Sequence, residues 1–352
     1  MKSKKRVVTI GKIKIGGDFP VTIQSMTNSR TNEIENTVSQ IKELKESGCE
    51  IVRIAVPDEE SADAIKSLVS LANVPLVADI HFDYRLAIKS IKSGVHKVRI
   101  NPGNIGAEWK VKEVVKVAKQ YHIPVRVGAN SGSIKSDFKQ YSPEKALAES
   151  ALSEVRLLER TSFEEIVISA KSSDVNETIK ANEYIHSKVD YPLHIGITES
   201  GIGLDGTVKS ALGIGILLSK GIGDTIRVSL PGNPVKEVMV AKSILKSLGI
   251  KSGVSIIACP TCGRAEIDVE KIAMGIERVT KNIDENIKIA VMGCVVNGIG
   301  EGSNSDIGIA GTKKGAAIFI NGEIIETVKK NEIEDSLMKY LEQIKNMRRD
   351  NA

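Results

Sequence analysis

Between about residues 20 and 245, short β-branched runs alternate with longer stretches in which apolar positions recur every three or four residues. The short runs predict strands at 21–25, 50–56, 75–79, 96–100, 124–127, 165–169, 193–197 and 224–229. The stretches between them have helical period. Ile34, Val38, Ile41 and Leu44 share one face, for example, and Gly48 closes that segment. Eight strands alternating with eight helices is the count of a (β/α)8 TIM barrel. A doubly wound sheet is the main competitor, but no helix-opening glycine fingerprint follows the first strand.

The pattern changes after the helix expected at 234–248. Residues 249–253 read as a linker, and a new unit starts with a strand at Val254–Ala258. A helix at 268–281, a strand at Ile287–Met292, a glycine-rich loop at 293–302, strands near 307–310 and 317–320, and a charged helix near 332–347 follow. The expected organisation is α/β: a barrel domain over 1–248 and a small α+β domain over 254–352.

Composition narrows the function. The 352 residues carry 49 Lys+Arg against 44 Asp+Glu, a formal charge of +5, with only 5 Phe, 6 Tyr and 1 Trp. That is too little charge and too few stacking rings for a protein that coats nucleic acid. The basic start is followed by an apolar run of four residues, short of the ~7–15 of a secretory signal. No apolar stretch reaches the ~18–20 residues of a membrane helix. A cytoplasmic protein with no nucleic-acid or membrane partner is expected.

Four cysteines occur: Cys49, Cys259, Cys262 and Cys294. Cys259 and Cys262 follow one strand of the small domain, and Cys294 follows its neighbour. All five histidines lie in the barrel, and Cys49 precedes its second strand. A four-ligand zinc site is therefore short of a ligand. Three thiolates suit an iron–sulfur cluster with one unusual position. Glu301, seven residues after Cys294, is the best oxygen candidate, a harder and more replaceable ligand than thiolate. The plain alternative is a CxxC that caps a helix with two buried thiols. Gly293, Gly298, Gly300 and Gly302 would let the backbone approach a cluster.

Four strands carry an arginine between apolar neighbours: Arg53, Arg99, Arg126 and Arg227. Each could pair with a structural carboxylate such as Asp79 or Glu199. Four near one barrel end point instead to a polyanion, and arginine forks suit a diphosphate. Polar residues trail the same strands, on the face where barrel enzymes place their sites. They include Asp79, His81, Asn101, Asn130, Ser169, Lys171, Thr198, Glu199 and Ser229. His194, alone in a strand, is left without a role.

The runs Gln24–Asn28, Asp79–His81, Arg99–Gly103, Cys259–Arg264 and Met292–Glu301 resemble the 4-hydroxy-3-methylbut-2-enyl diphosphate synthase family over almost the whole chain. The resemblance implies reductive ring opening and dehydration of 2-C-methyl-D-erythritol 2,4-cyclodiphosphate in the methylerythritol phosphate route to isoprenoids. It implies a small domain like the cluster-binding units of sulfite reductases. A 4Fe–4S cluster would be held by Cys259, Cys262, Cys294 and Glu301, and ferredoxin or flavodoxin would donate electrons. A head-to-tail homodimer would place the active site between subunits. Arg53, Arg99, Arg126, Lys171, Arg227 and Ser229 would grip the diphosphate, Asn101, Asn130 and Thr198 would assist, and Glu199 would donate a proton to the departing hydroxyl. The chain lacks room for the extra middle domain of plant-type members, and residues 29–33 differ from the usual pattern of the first loop. Two rival classes are a zinc-stabilised phosphate- or RNA-binding protein and a cluster-free phosphate-binding barrel enzyme.

Overall fold

In the computed structural model, which describes residues 5–350 apart from 135, 139 and 282, the chain divides into two compact units between Ile250 and Lys251. The basic opening residues 1–4 lie outside the described residues.

The first unit opens with an antiparallel hairpin, β1 (Val7–Ile10) and β2 (Ile13–Gly16). Eight parallel strands follow: β3 (Thr22–Met26), β4 (Ile51–Ala55), β5 (Leu76–Ile80), β6 (Lys97–Ile100), β7 (Val125–Asn130), β8 (Ile166–Lys171), β9 (His194–Ile195) and β10 (Thr225–Ile226). They pair in the order β8-β7-β6-β5-β4-β3-β10-β9. A parallel bridge between Ile168 and Leu193 joins β8 to the start of β9, so the sheet closes on itself. Closure excludes the doubly wound alternative, whose sheet has two free edges. The seventh and eighth strands are shorter than their apolar runs. At the next position along, Gly196 adopts φ +156°, and a Cβ there would stand 2.2 Å from the Arg227 carbonyl oxygen.

Side chains alternate across a strand, so the two faces of this sheet have separate cores. Val52, Ile54, Ala78, Val98, Ile100, Val127 and Ile168 face outward and pack with Ile65, Leu68, Leu86, Val111 and Val115 of the surrounding helices. Aspartates start several of those helices. Asp58, Asp83 and Asp174 accept hydrogen bonds from the first-turn amides of Glu59–Leu71, Tyr84–Lys92 and Val175–Lys188. The opposite residues point into the barrel. At its N-terminal end they are apolar: Ile51, Val77 and Val167 pack with Val8, Ile10 and Ile15 of the hairpin, which plugs the barrel.

The second unit is a five-stranded mixed sheet in the order β11 (Val254–Ala258), β12 (Ile287–Met292), β13 (Ile307–Thr312), β14 (Gly315–Ile320) and β15 (Glu323–Lys329). The first three strands are parallel and the last two antiparallel. Helix Val269–Thr280 links β11 to β12 and buries Val269, Ile272 and Ile276 against the sheet. Helix Ile333–Asp350 adds Leu337, Leu341 and Ile344 to the same core. The stretch expected as a glycine-rich loop is instead the helix Val295–Gly302. Two of its glycines serve packing: a Cβ at Gly298 would meet Met292 at 2.7 Å, and one at Gly302 would meet Phe319 at 2.6 Å. Among the described residues, no helix is long and apolar enough to cross a membrane.

Candidate active site

Above the apolar plug, the inward positions of the barrel become polar. Met26 lies beside Arg53, Ala55 beside Asp79, Asp79 beside Arg99, and Arg99 beside Arg126, each pair in register on neighbouring strands. Asn130 pairs with Lys171 in the same way. The period of two that sends Val52 and Ile54 outward sends Arg53 inward, so the strand arginines converge.

Their partners are few. Arg99 Nη1 donates to Asp79 Oδ1 at 3.2 Å and to a ring nitrogen of His81 at 2.8 Å. Arg53 Nε lies 3.8 Å from Asp79 Oδ2 and 3.0 Å from the Met26 sulfur. Arg227 donates from Nε and Nη2 to the Glu237 carboxylate, both at 3.2 Å, and Ser25 Oγ donates to the same group at 2.8 Å. Arg126 is 2% exposed, and its Nε and Nη1 have no hydrogen-bond partner. Lys171 and Lys97 are also buried. Among the described residues, six basic side chains (Arg53, Lys97, Arg99, Arg126, Lys171 and Arg227) share this interior, and the carboxylates of Asp79 and Glu237 reach some of them.

The electrostatics follow. Burial opposes ionisation of Asp79, but Arg53, a hydrogen bond with His81, Arg99 and Arg126 together hold its carboxyl far below the usual carboxylate range. Burial lowers Arg53 to about 10, which leaves it a cation at neutral pH. Burial and then neighbouring cations hold Lys171 and Arg126 well below their ordinary values. An interior with this excess is built to receive negative charge.

The remaining predicted residues lie around the ends of these strands. Asn101 is buried and its side chain accepts from the Gly103 amide at 3.1 Å, capping the short helix Pro102–Ile105. Asn130 takes part in a capping box at Ser131–Ser133. Thr198 and Ser229 are half-buried, and Glu199 is exposed with φ +49°. Next to it, Ser200 Oγ donates to the Ser229 carbonyl at 2.7 Å and ties the two loops together. Lys97 and Glu237 were not among the expected residues. Lys97 begins its strand and so escapes a search of strand ends, and Glu237 arrives from the helix Val235–Ser247. A separate cavity of about 800 Å³, lined by Lys66, Arg85, Lys89 and Trp109 among others, contains none of these residues.

In the second unit, β11 and β12 are adjacent, with Ala258 opposite Val291, so Cys259 and Cys294 emerge at neighbouring strand ends. Cys259 and Cys294 are half-buried and Cys262 is exposed. Residues 259–262 cap no helix; the next one starts at Val269 and is capped by Asp268. The Gly293 amide donates to Cys259 Sγ at 3.0 Å. Cys294 is the N-cap of helix Val295–Gly302, and the exposed Glu301 lies in its last turn, two turns along the same face. Among the described residues, no three Cys, His, Asp or Glu side chains are close enough to hold one metal ion. A single zinc needs all its ligands at about 2.0–2.3 Å. A cluster puts each thiolate on a different iron, so its ligands stand farther apart, and the donor set fits such a group. Cys49 is apart from this chemistry: its thiol is buried in the barrel, contacts the Ile51 carbonyl at 3.1 Å, and is pushed up to about 12 by burial.

Comparison with known proteins agrees with both units. Residues 5–242 match the GcpE TIM-barrel domain, and residues 255–343 match the GcpE protein C-terminal domain. The chain is 56% identical over 340 residues to the 4-hydroxy-3-methylbut-2-en-1-yl diphosphate synthase (flavodoxin) of Thermotoga maritima, covering 97% of this chain and 98% of that one. It is 54% identical over 349 residues to the protein of the same name from Caldanaerobacter subterraneus subsp. tengcongensis, covering 98% of each. Among solved structures, 3-dehydroquinate dehydratase from Geobacillus kaustophilus aligns at TM-score 0.51 with 16% identity, over 70% of this chain and 99% of that one. A Yersinia pestis dihydropteroate synthase aligns at TM-score 0.51 with 12% identity, over 69% and 99%. Those likenesses are of fold alone. Family matches across both units and identity above half over nearly the whole length establish that the chain belongs to the GcpE family.

Proposed function

We propose that this chain converts 2-C-methyl-D-erythritol 2,4-cyclodiphosphate to 4-hydroxy-3-methylbut-2-enyl diphosphate in the methylerythritol phosphate pathway. The observation that carries the reading is the excess of buried basic side chains over carboxylates inside the barrel, which calls for a ligand with several negative charges. The names of the relatives supply the diphosphate product and favour flavodoxin over ferredoxin as donor.

Arg53, Arg99, Arg126, Lys171, Arg227 and Ser229 hold the two phosphate groups, with Asn101, Asn130 and Thr198 beside them. This grip fixes the carbon skeleton and excludes water from the ring to be opened. The reaction takes up two electrons and two protons, breaks the ring carbon–oxygen bond to phosphate, and releases one hydroxyl as water. Glu199 holds the proton for the departing hydroxyl oxygen. When bound by Cys259, Cys262, Cys294 and Glu301, a 4Fe–4S cluster supplies the electrons one at a time. A head-to-tail homodimer, in which a second copy contributes the cluster, and a cytoplasmic location belong to the same reading.

The test is anaerobic purification followed by metal analysis, visible and EPR spectra, and turnover of the cyclic diphosphate with reduced flavodoxin. About four irons per chain and product formation are expected. Stoichiometric zinc with no visible chromophore would sink the reading.

A further inference from the structure

A second layer of polar groups lies in the barrel below the arginines. Lys97, the first residue of β6, is fully buried, and its Nζ reaches Gln24 Oε1 at 3.4 Å. Burial first, and then the charges of Arg126 and Arg53, hold the ammonium well below its ordinary range. In the same interior, Thr22 Oγ1, Gln24 Nε2, His194 Nε2, and Arg126 Nε and Nη1 are buried without hydrogen-bond partners. Each of these atoms is able to donate. Lys97 is in register with Val77, which packs with Ile51, Val167 and the hairpin's Val8, Ile10 and Ile15, and these offer no countercharge.

We propose that Lys97 is a positioning residue of the anion site, strengthening diphosphate binding through its charge beneath Arg126, and that diphosphate entry brings a proton into this layer. This rests on the reading that the barrel binds a diphosphate. The groups facing the layer are Arg53, Asp79, His81, Arg99, Arg126, Lys171, His194, Arg227 and Glu237, contributed by seven strands or strand ends and one helix. Cations predominate, so the free site disfavours protonation of Lys97, Lys171 and His194. Incoming phosphate charge reverses that balance, and linkage then requires proton uptake on binding and weaker binding as pH rises.

The test is calorimetry on the oxidised holoenzyme, which cannot turn over without reductant, titrated with the cyclic diphosphate in buffers of different ionisation enthalpy. The slope of binding enthalpy against buffer enthalpy counts protons taken up. Wild type should show uptake approaching one proton. Lys97→Met, close in shape and uncharged, should bind about tenfold more weakly, take up fewer protons, and melt no lower than wild type. A zero slope in wild type overturns the proposal without any variant. Unchanged affinity and slope in Lys97→Met, or weaker binding accompanied by a lower melting temperature, overturns the role of Lys97. Absence of binding by wild type instead overturns the diphosphate reading itself.

Discussion

Asp79 and Arg99 face each other in register on β5 and β6, joined by a 3.2 Å hydrogen bond from Arg99 Nη1 to Asp79 Oδ1. The same carboxylate lies 3.8 Å from Arg53 and 3.5 Å from His81. One acid thus holds two arginines and a histidine in place, yet its charge offsets only one of the cations around it. The site is ordered without being neutralised.

Asp79→Asn should therefore cost about 3 kcal/mol of stability, the scale for breaking a buried charge pair while leaving its partners in place. Saturating pyrophosphate should recover part of that loss, because it supplies the missing negative charge. Denaturant unfolding with and without pyrophosphate measures both effects. The folded carboxyl is held far below its unfolded value of about 3.9. Its contribution is therefore full at neutral pH and declines as pH falls below about 4, where unfolding takes up a proton.

Arg126 should behave in the opposite sense. Its buried Nε and Nη1 lack partners, and burial and its cationic neighbours already disfavour its charge. Arg126→Met should leave the melting temperature unchanged or higher. It should also weaken diphosphate binding about a hundredfold, the loss of two charge-assisted hydrogen bonds at about 1.5 kcal/mol each. A variant that melts lower and binds normally would make Arg126 a structural residue.

Much of this was legible in the sequence, for reasons that particular residues show. The arginine at the centre of each Val-Arg-Ile or Val-Arg-Val run betrays an inward polar position, because the flanking apolar residues must face the helices. Cys259 and Cys294 end two parallel strands, so chain order alone put them side by side. Lys97 was hidden because it opens its strand, away from the ends where a barrel site is sought, although its two-residue spacing from Arg99 puts it on the same inward face. Helix Val295–Gly302 read as a loop because its glycines looked permissive, whereas contact with Met292 and Phe319 requires their small size. The hairpin leaves only a weak sequence signal, because its alternation is four residues long in each strand.

That hairpin has a measurable role. Ile10 is fully buried against Ile51, Val77 and Val167 at the closed end of the barrel. Ile10→Ala should cost about 3 kcal/mol, typical of a large-to-small change in a core. Diphosphate affinity should change little, since the plug is apolar and lies beyond the charged layers. Thermal melts and calorimetry on one preparation separate the two effects.

Cys294→Ser should lower iron content and remove the visible absorption while leaving diphosphate binding by the barrel intact. Replacing the sulfur by a hydroxyl removes the proposed soft ligand at the helix N-cap. Full iron content with normal turnover would take Cys294 out of the ligand set.

Glu199 combines exposure, a place next to the tie between Ser200 and the Ser229 carbonyl, and a backbone φ of +49°. A glutamate in the left-handed region costs about 1 kcal/mol that glycine would not. Glu199→Gly should therefore raise stability by about that amount while removing the proposed proton donor, so the melting temperature rises as kcat falls. Glu199→Gln keeps the backbone cost and the shape. It should preserve substrate affinity and lower kcat by a factor within the 10²–10⁴ range of general acid catalysis. A glutamine variant with wild-type kcat would assign the proton to another group. A glycine variant no more stable than wild type would show that the left-handed conformation carries no strain to release.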